Sequence, residues 1–140
     1  MKQILNCACS KKFADLAPLL LRVVVGAIFL VHGWEKFVGG VPGIEAFLAG
    51  MNFPVPGLLA VLLIAAEIGG GILLILGAFT HWVAKVLAFV ALVALVAVHL
   101  PNGFTGPGGY EFILLILVSC ISIVITGPGK ISVDARMKRK

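Results

Sequence analysis

The stretch that decides the fold is RVVVGAIFLVHGWEKFVGG, residues 22–40. It is apolar enough for lipid, yet it carries Arg22, His32, Glu35 and Lys36. On a helical wheel Arg22, Gly26, Phe29, Gly33 and Lys36 share one face, with His32 at its edge and Glu35 pointing away. Glycines let helices approach closely, so this face should be the packed one. Ionisable side chains inside a membrane are costly, and they usually face a partner in the bundle interior. The segment therefore reads as a membrane helix that edges a buried polar site.

The rest of the chain agrees. Of 140 residues, 61% are hydrophobic and 12% charged, too little polar surface to cover a soluble domain of this length. A formal net charge of +5 could suggest nucleic acid, but most Lys and Arg sit at the two ends, which argues against it. Cys7, Cys9 and Cys120 do not make a disulfide framework or a structural zinc site. Cys7 and Cys9 could form a thiol pair in the tail, and Cys120 reads as a small packing residue. MKQILNCACSKK has no apolar core long enough for a signal peptide.

Four segments meet the length rule of about 20 apolar residues per spanning helix. They run over 16–38, 57–78, 82–100 and 110–127, punctuated by VGGVPG, NFPVPG, LPNGFTGPGG and TGPGK. The expected fold is all-α, an integral membrane four-helix bundle flanked by tails at 1–15 and 128–140. Clustered Lys and Arg put both termini in the cytoplasm by the positive-inside rule. In the first outer loop Ile44, Phe47, Leu48 and Met51 fall at helical spacing, which predicts a short interfacial helix. A His late in each odd-numbered helix and one Glu in each even-numbered helix hint at a weak repeat.

The candidate polar set is Arg22, His32, Lys36, Glu67, His99 and Glu111. Glu67 falls near mid-membrane by the rise of about 1.5 Å per residue. It should be protonated or paired with Arg22 or a histidine, since a central charge costs about 2.5–3.5 kcal/mol. His32 is expected to turn inward and share one outer-half pocket with Glu67 and His99, Glu111 closing its top. Lys36 could join or snorkel outward. The bland alternative is a polar clamp that only fixes helix register. His32, His99, Glu67 and Glu111 are acceptable metal ligands but lack a tight local motif, so no metal is assigned.

RVVVGAIFLVHGWEKF, AAEIGGGILLILGAFTHW, VHLPNGF, GGYEFILL and GPGKISVD together resemble the DoxX family of small bacterial four-helix membrane proteins, over about residues 16–134. The family is named from a relative in a thiosulfate:quinone oxidoreductase, also described as a terminal quinol oxidase subunit. Other members are linked to quinone stress or membrane redox complexes. The resemblance implies a bacterial plasma (inner) membrane protein with a quinone-linked redox role. A quinone would be its bound substrate. Glu67 and His32 would be the catalytic pair, with Arg22, Lys36, His99 and Glu111 binding substrate. No haem, flavin or iron–sulfur motif is present, so no intrinsic cofactor is expected and electrons must come from a redox partner protein or a bound donor. Partners are then the lipid bilayer, a quinone, and a redox protein or a second copy of the chain. The competing reading is a non-enzymatic assembly or scaffolding protein that binds other membrane proteins or lipids. Transport of a small molecule or proton is a third: buried charges favour it, but four helices need an oligomer or partner to make a path.

Overall fold

The computed structural model describes residues 16–137. The tail cysteines Cys7 and Cys9 lie outside the described residues. All regular structure among the described residues is helical. Helix α1 spans Leu16–Gly39, α2 Val41–Gly50, α3 Pro56–Leu76, α4 Thr80–Ala94, α5 Glu111–Thr126 and α6 Val133–Met137. Three stretches are long and apolar enough to cross a membrane: α1, α3, and Thr80–Asn102, which is α4 with its continuation. Helix α5 has 16 residues, or about 24 Å of rise, and is shorter than these three stretches.

The boundaries follow local chemistry. Gly40, at φ 89°, ends α1 and turns the chain into α2. Leu48 is the one buried residue of α2. Ile44 and Met51 are half-buried and Phe47 is exposed, so the anticipated apolar face is only partly covered. Gly77 closes α3 in the left-handed conformation that glycine tolerates best. Helix α3 therefore ends at Leu76 rather than 78, and α4 starts at Thr80 rather than 82. Helix α4 then widens into a π-turn at Leu95–His99 and tightens into a 3-10 turn at Leu100–Asn102. Pro101 has no N–H to continue the regular ladder there. Helix α6 falls within the segment read from sequence as a basic tail.

Helices α1 and α3 form the most extensive pairing, and α4 with α5 the next. A Cβ placed on Gly26 would lie 2.7 Å from the Gly71 carbonyl oxygen, and one on Gly71 equally close to that of Gly26. The two backbones thus touch directly. In lipid, association of helices depends on such contact, because tails are as apolar as leucine. Val25, Phe29, Leu74, Leu87, Ala91, Ile116, Cys120 and Ile123 fill the space between the pairs. Cys120 is fully buried and unbridged, as expected of a packing residue. Buried positions stop at Ala91 on α4 and begin only at Ile116 on α5. The end carrying Arg22 and the α3–α4 turn, hereafter the inner end, is therefore closed. Beyond Ala91 and before Ile116, the outer turns of α4 and α5 contribute no buried residue.

Candidate functional site

Two cations on one face of α1 meet α3 at different levels, Lys36 midway along it and Arg22 in its last turn. Near the outer end of α1, Lys36 Nζ donates to both carboxylate oxygens of Glu67, at 2.7 and 2.6 Å. Gly33 makes this possible, since a Cβ there would sit 2.8 Å from the Glu67 Cβ. The Lys36 side chain is 25% exposed and that of Glu67 is 7% exposed. The carboxylate is thus sunk in the seam while the ammonium stays partly exposed. A charge-assisted pair of this kind is among the stronger hydrogen-bonded contacts.

At the inner end Arg22 is fully buried. Its Nη1 donates to the Leu74 carbonyl at 3.4 Å and its Nη2 to the Ile131 carbonyl at 2.5 Å. The first of these carbonyls lies in the last turn of α3, where orphan acceptors collect. Asp134 lies close enough for its charge to act on Arg22. Its carboxylate accepts from the Phe79 N–H at 2.8 Å and the Thr80 N–H at 2.9 Å, capping α4. Partial burial alone would push the Asp134 carboxyl up, but these donors and the Arg22 charge outweigh it and hold it below its ordinary value. Ser132 accepts from the Ala135 N–H at 3.1 Å and donates to the Gly129 carbonyl at 2.8 Å. The GPGKISVD segment is therefore a latch across the inner end.

This arrangement corrects the expected pocket. Glu67 is partnered by Lys36, not by Arg22 or a histidine. Arg22 engages the far end of α3 at Leu74, about two helical turns beyond Glu67, and does not approach Glu67 as a partner. His32 is exposed rather than buried, and its Nδ1 lies 2.8 Å from the Ile28 carbonyl of its own helix. A carbonyl one turn back satisfied the ring locally, so no inward partner was needed. His99 is half-buried and its Nδ1 lies 2.8 Å from the Gly108 carbonyl, tying down the last outer loop. Asn102 Nδ2 donates to the same oxygen at 3.1 Å. Glu111 is exposed in the first turn of α5, where a negative charge suits the helix dipole. Among the described residues no hydrogen bond or ion pair joins His32, His99, Glu67 and Glu111, and no three His, Cys, Asp or Glu converge as a metal site.

Sequence reasoning missed the roles of Asp134 and Ser132. Ser132 just before a short helix is a readable N-cap signal. The reach of Asp134 to α4 depends on tertiary contact and left no local signature. A shallow groove of about 320 Å³, also not anticipated, lies on the flank where Phe37, Val61, Ala65 and Ile68 point, one residue on from Lys36 and Glu67. It is almost wholly apolar.

Comparison with known proteins places the chain in a family. The DoxX family model matches residues 17–100. The chain is 32% identical to a Bacillus subtilis (strain 168) protein named "Putative oxidoreductase CatD", over 88% of each chain. It is 30% identical to the inner membrane protein YqjF of Escherichia coli (strain K12), over 93% of this chain and 98% of that one. It is 31% identical to the inner membrane protein YphA of the same organism, over 89% and 94% respectively. No solved structure matches the chain. The chain belongs to the DoxX family and is a multi-pass inner-membrane protein.

Proposed function

We propose that this DoxX-family protein is the membrane subunit of a quinone-linked oxidoreductase, with the Lys36–Glu67 pair as its quinone-head and proton-handling site. In this reading α1, α3, α4 with its continuation, and α5 all cross the membrane as a four-helix bundle. Both termini face the cytoplasm, as the clustering of Lys and Arg favours. The observation that carries the reading is the bidentate pair itself, a buried carboxylate whose ammonium partner stays a quarter exposed. A register clamp needs no opening to one side, whereas a head group does. The π-turn at Leu95–His99 faces the same outer third of the bundle, and such turns are frequent at functional sites. The name of the Bacillus subtilis relative supports redox chemistry.

Reduction of a quinone to a quinol takes up two electrons and two protons. A partner protein or bound donor supplies the electrons. Lys36 donates a hydrogen bond to a quinone carbonyl oxygen and stabilises negative charge that develops there. Glu67, released from one of its two contacts, takes a proton from the aqueous side and passes it to that oxygen, and the second oxygen takes its proton from water. The apolar groove beside the pair suits the substrate's tail. His32 and His99 are bound to backbone carbonyls and serve the outer surface, not the head group. The scaffold reading assigns the pair only to holding α1 on α3.

The variant Glu67→Gln separates the two. Gln keeps the shape and still hydrogen-bonds but cannot ionise. The protein should fold normally and fail in quinone reduction measured in membranes that contain its redox partner. Full activity of the folded Gln variant, or purified protein that never retains quinone in solvent extracts, would overturn the redox reading and leave the scaffold.

A further inference from the structure

Beyond the quinone site, the inner end of α4 carries an unexplained cation. Lys85 is exposed on the outward face of α4, and its ammonium sits 4.7 Å from the centre of the Trp82 ring. Side chains on a helix lean toward its N-terminus, so Lys85 points back toward the inner end. Its neighbours on the exposed face are Phe79, Trp82, Val86 and Phe89, each more than half exposed. His81 packs its ring edge against Trp82 with centroids 6.0 Å apart. Among the described residues no carboxylate pairs with Lys85. Asp134, near this end, is already occupied by the amides of Phe79 and Thr80 and by Arg22.

We propose that Lys85 and Trp82 form a binding site for the phosphate head of an anionic phospholipid in the leaflet at the inner end of the bundle. The warrant is charge complementarity in a setting only lipid can fill. A lysine stem lying among exposed apolar side chains is covered by acyl chains, and its head snorkels to the phosphate level. Trp82 belongs at that level by its amphipathic ring. The indole face holds the ammonium in place and leaves its remaining N–H groups aimed outward as phosphate donors. Arg136 is exposed at the same end, and Lys138, Arg139 and Lys140 follow directly in sequence. This excess of cations selects a lipid with net negative charge over a zwitterionic one.

The test uses the full chain with Trp34→Phe, which leaves Trp82 as the single tryptophan of the two. The protein is placed in phosphatidylcholine vesicles containing either brominated phosphatidylglycerol or brominated phosphatidylcholine at equal mole fraction. Quenching of Trp82 by the anionic lipid should exceed that by the zwitterionic lipid several-fold. Lys85→Arg should keep the preference, and Lys85→Gln should cut it at least by half, to the remainder owed to the other cations of this end, while helical circular dichroism is unchanged. Equal quenching in the parent, or an undiminished preference in Lys85→Gln, would overturn the site. Loss of the preference on adding inorganic phosphate at matched ionic strength would show a free-phosphate site and overturn the lipid assignment.

Discussion

The two ends of the α1–α3 seam solve the same problem in opposite ways. Both must bury a cation beside a helix that has no room for it. At the inner end Arg22 is enclosed, bound to two backbone carbonyls and backed by Asp134 from the chain's last segment. At the outer end Lys36 meets a single carboxylate and remains a quarter exposed. An Arg fork that satisfies carbonyls from two segments is suited to holding parts together. A Lys–Glu pair with one side open can exchange its partner for a ligand. The contrast teaches that charge in a membrane helix does not by itself mark chemistry; the number of fixed partners and the access around it do.

The strongest test of the shared seam is to separate the helices. Gly71→Leu forces a side chain where even a Cβ would lie 2.7 Å from the Gly26 carbonyl oxygen. Neither backbone can yield without parting α1 from α3. Overpacking typically costs about 1–3 kcal/mol and occasionally more. The expected outcome is little monodisperse protein in size-exclusion chromatography after detergent extraction. A well-folded Gly71→Leu protein would mean that the seam is looser than its geometry.

Next comes the closed end. Arg22→Met removes the guanidinium but leaves the Leu74 and Ile131 carbonyls and Asp134 without it. Breaking a buried charged contact from one side costs about 3–5 kcal/mol. Thermal unfolding in detergent should shift down strongly, and redox activity should fall only with the folded fraction. A stable Arg22→Met variant that lost activity specifically would reverse the assignment of the two ends.

Asp134→Asn should cost less, about 1 kcal/mol, as expected for weakening one helix cap. It also has a pH signature. The folded carboxyl titrates below its ordinary value. Its contribution is therefore complete above the unfolded value of about 3.9, and is lost as pH falls through the depressed folded value. Unfolding midpoints compared from neutral to acid should converge between parent and Asp134→Asn in that acid window. A gap that stayed constant there would show that the charge of Asp134 does not matter to the latch.

Much of the seam was legible in sequence. The spacing of Arg22, Gly26, Phe29, Gly33 and Lys36 gave the packed face of α1, and four of the five are buried. The punctuation by Gly and Pro placed the long helices to within a few residues. The partner of Glu67 was misread for a physical reason. Vertical position along two helices was estimated from ideal rise, but the pairing depended on where two glycines let the backbones touch. Asp134 was invisible because capping across more than fifty residues has no local pattern. The histidines misled because a polar side chain near a helix end was assumed to need a partner on another helix. Both found a carbonyl closer at hand.

The smallest effect should come from His32, and it bears most directly on where the outer site ends. Its ring is exposed, its Nδ1 is engaged by Ile28 four residues earlier, and Lys36, one turn on, reaches Glu67 without it. His32→Gln removes the imidazole but touches no fixed partner on another helix. Exposed substitutions of this kind usually lie within about 0.5 kcal/mol. Thermal stability and quinone reduction should both match the parent, and the pH dependence of activity should not move. Glu67→Gln in the same assay should abolish activity. If His32→Gln instead lost activity with stability intact, a substrate would have to bridge its free Nε2 to the Lys36–Glu67 pair. The outer site would then extend across the mouth of the bundle, and the contrast between a closed inner end and an open outer end would sharpen.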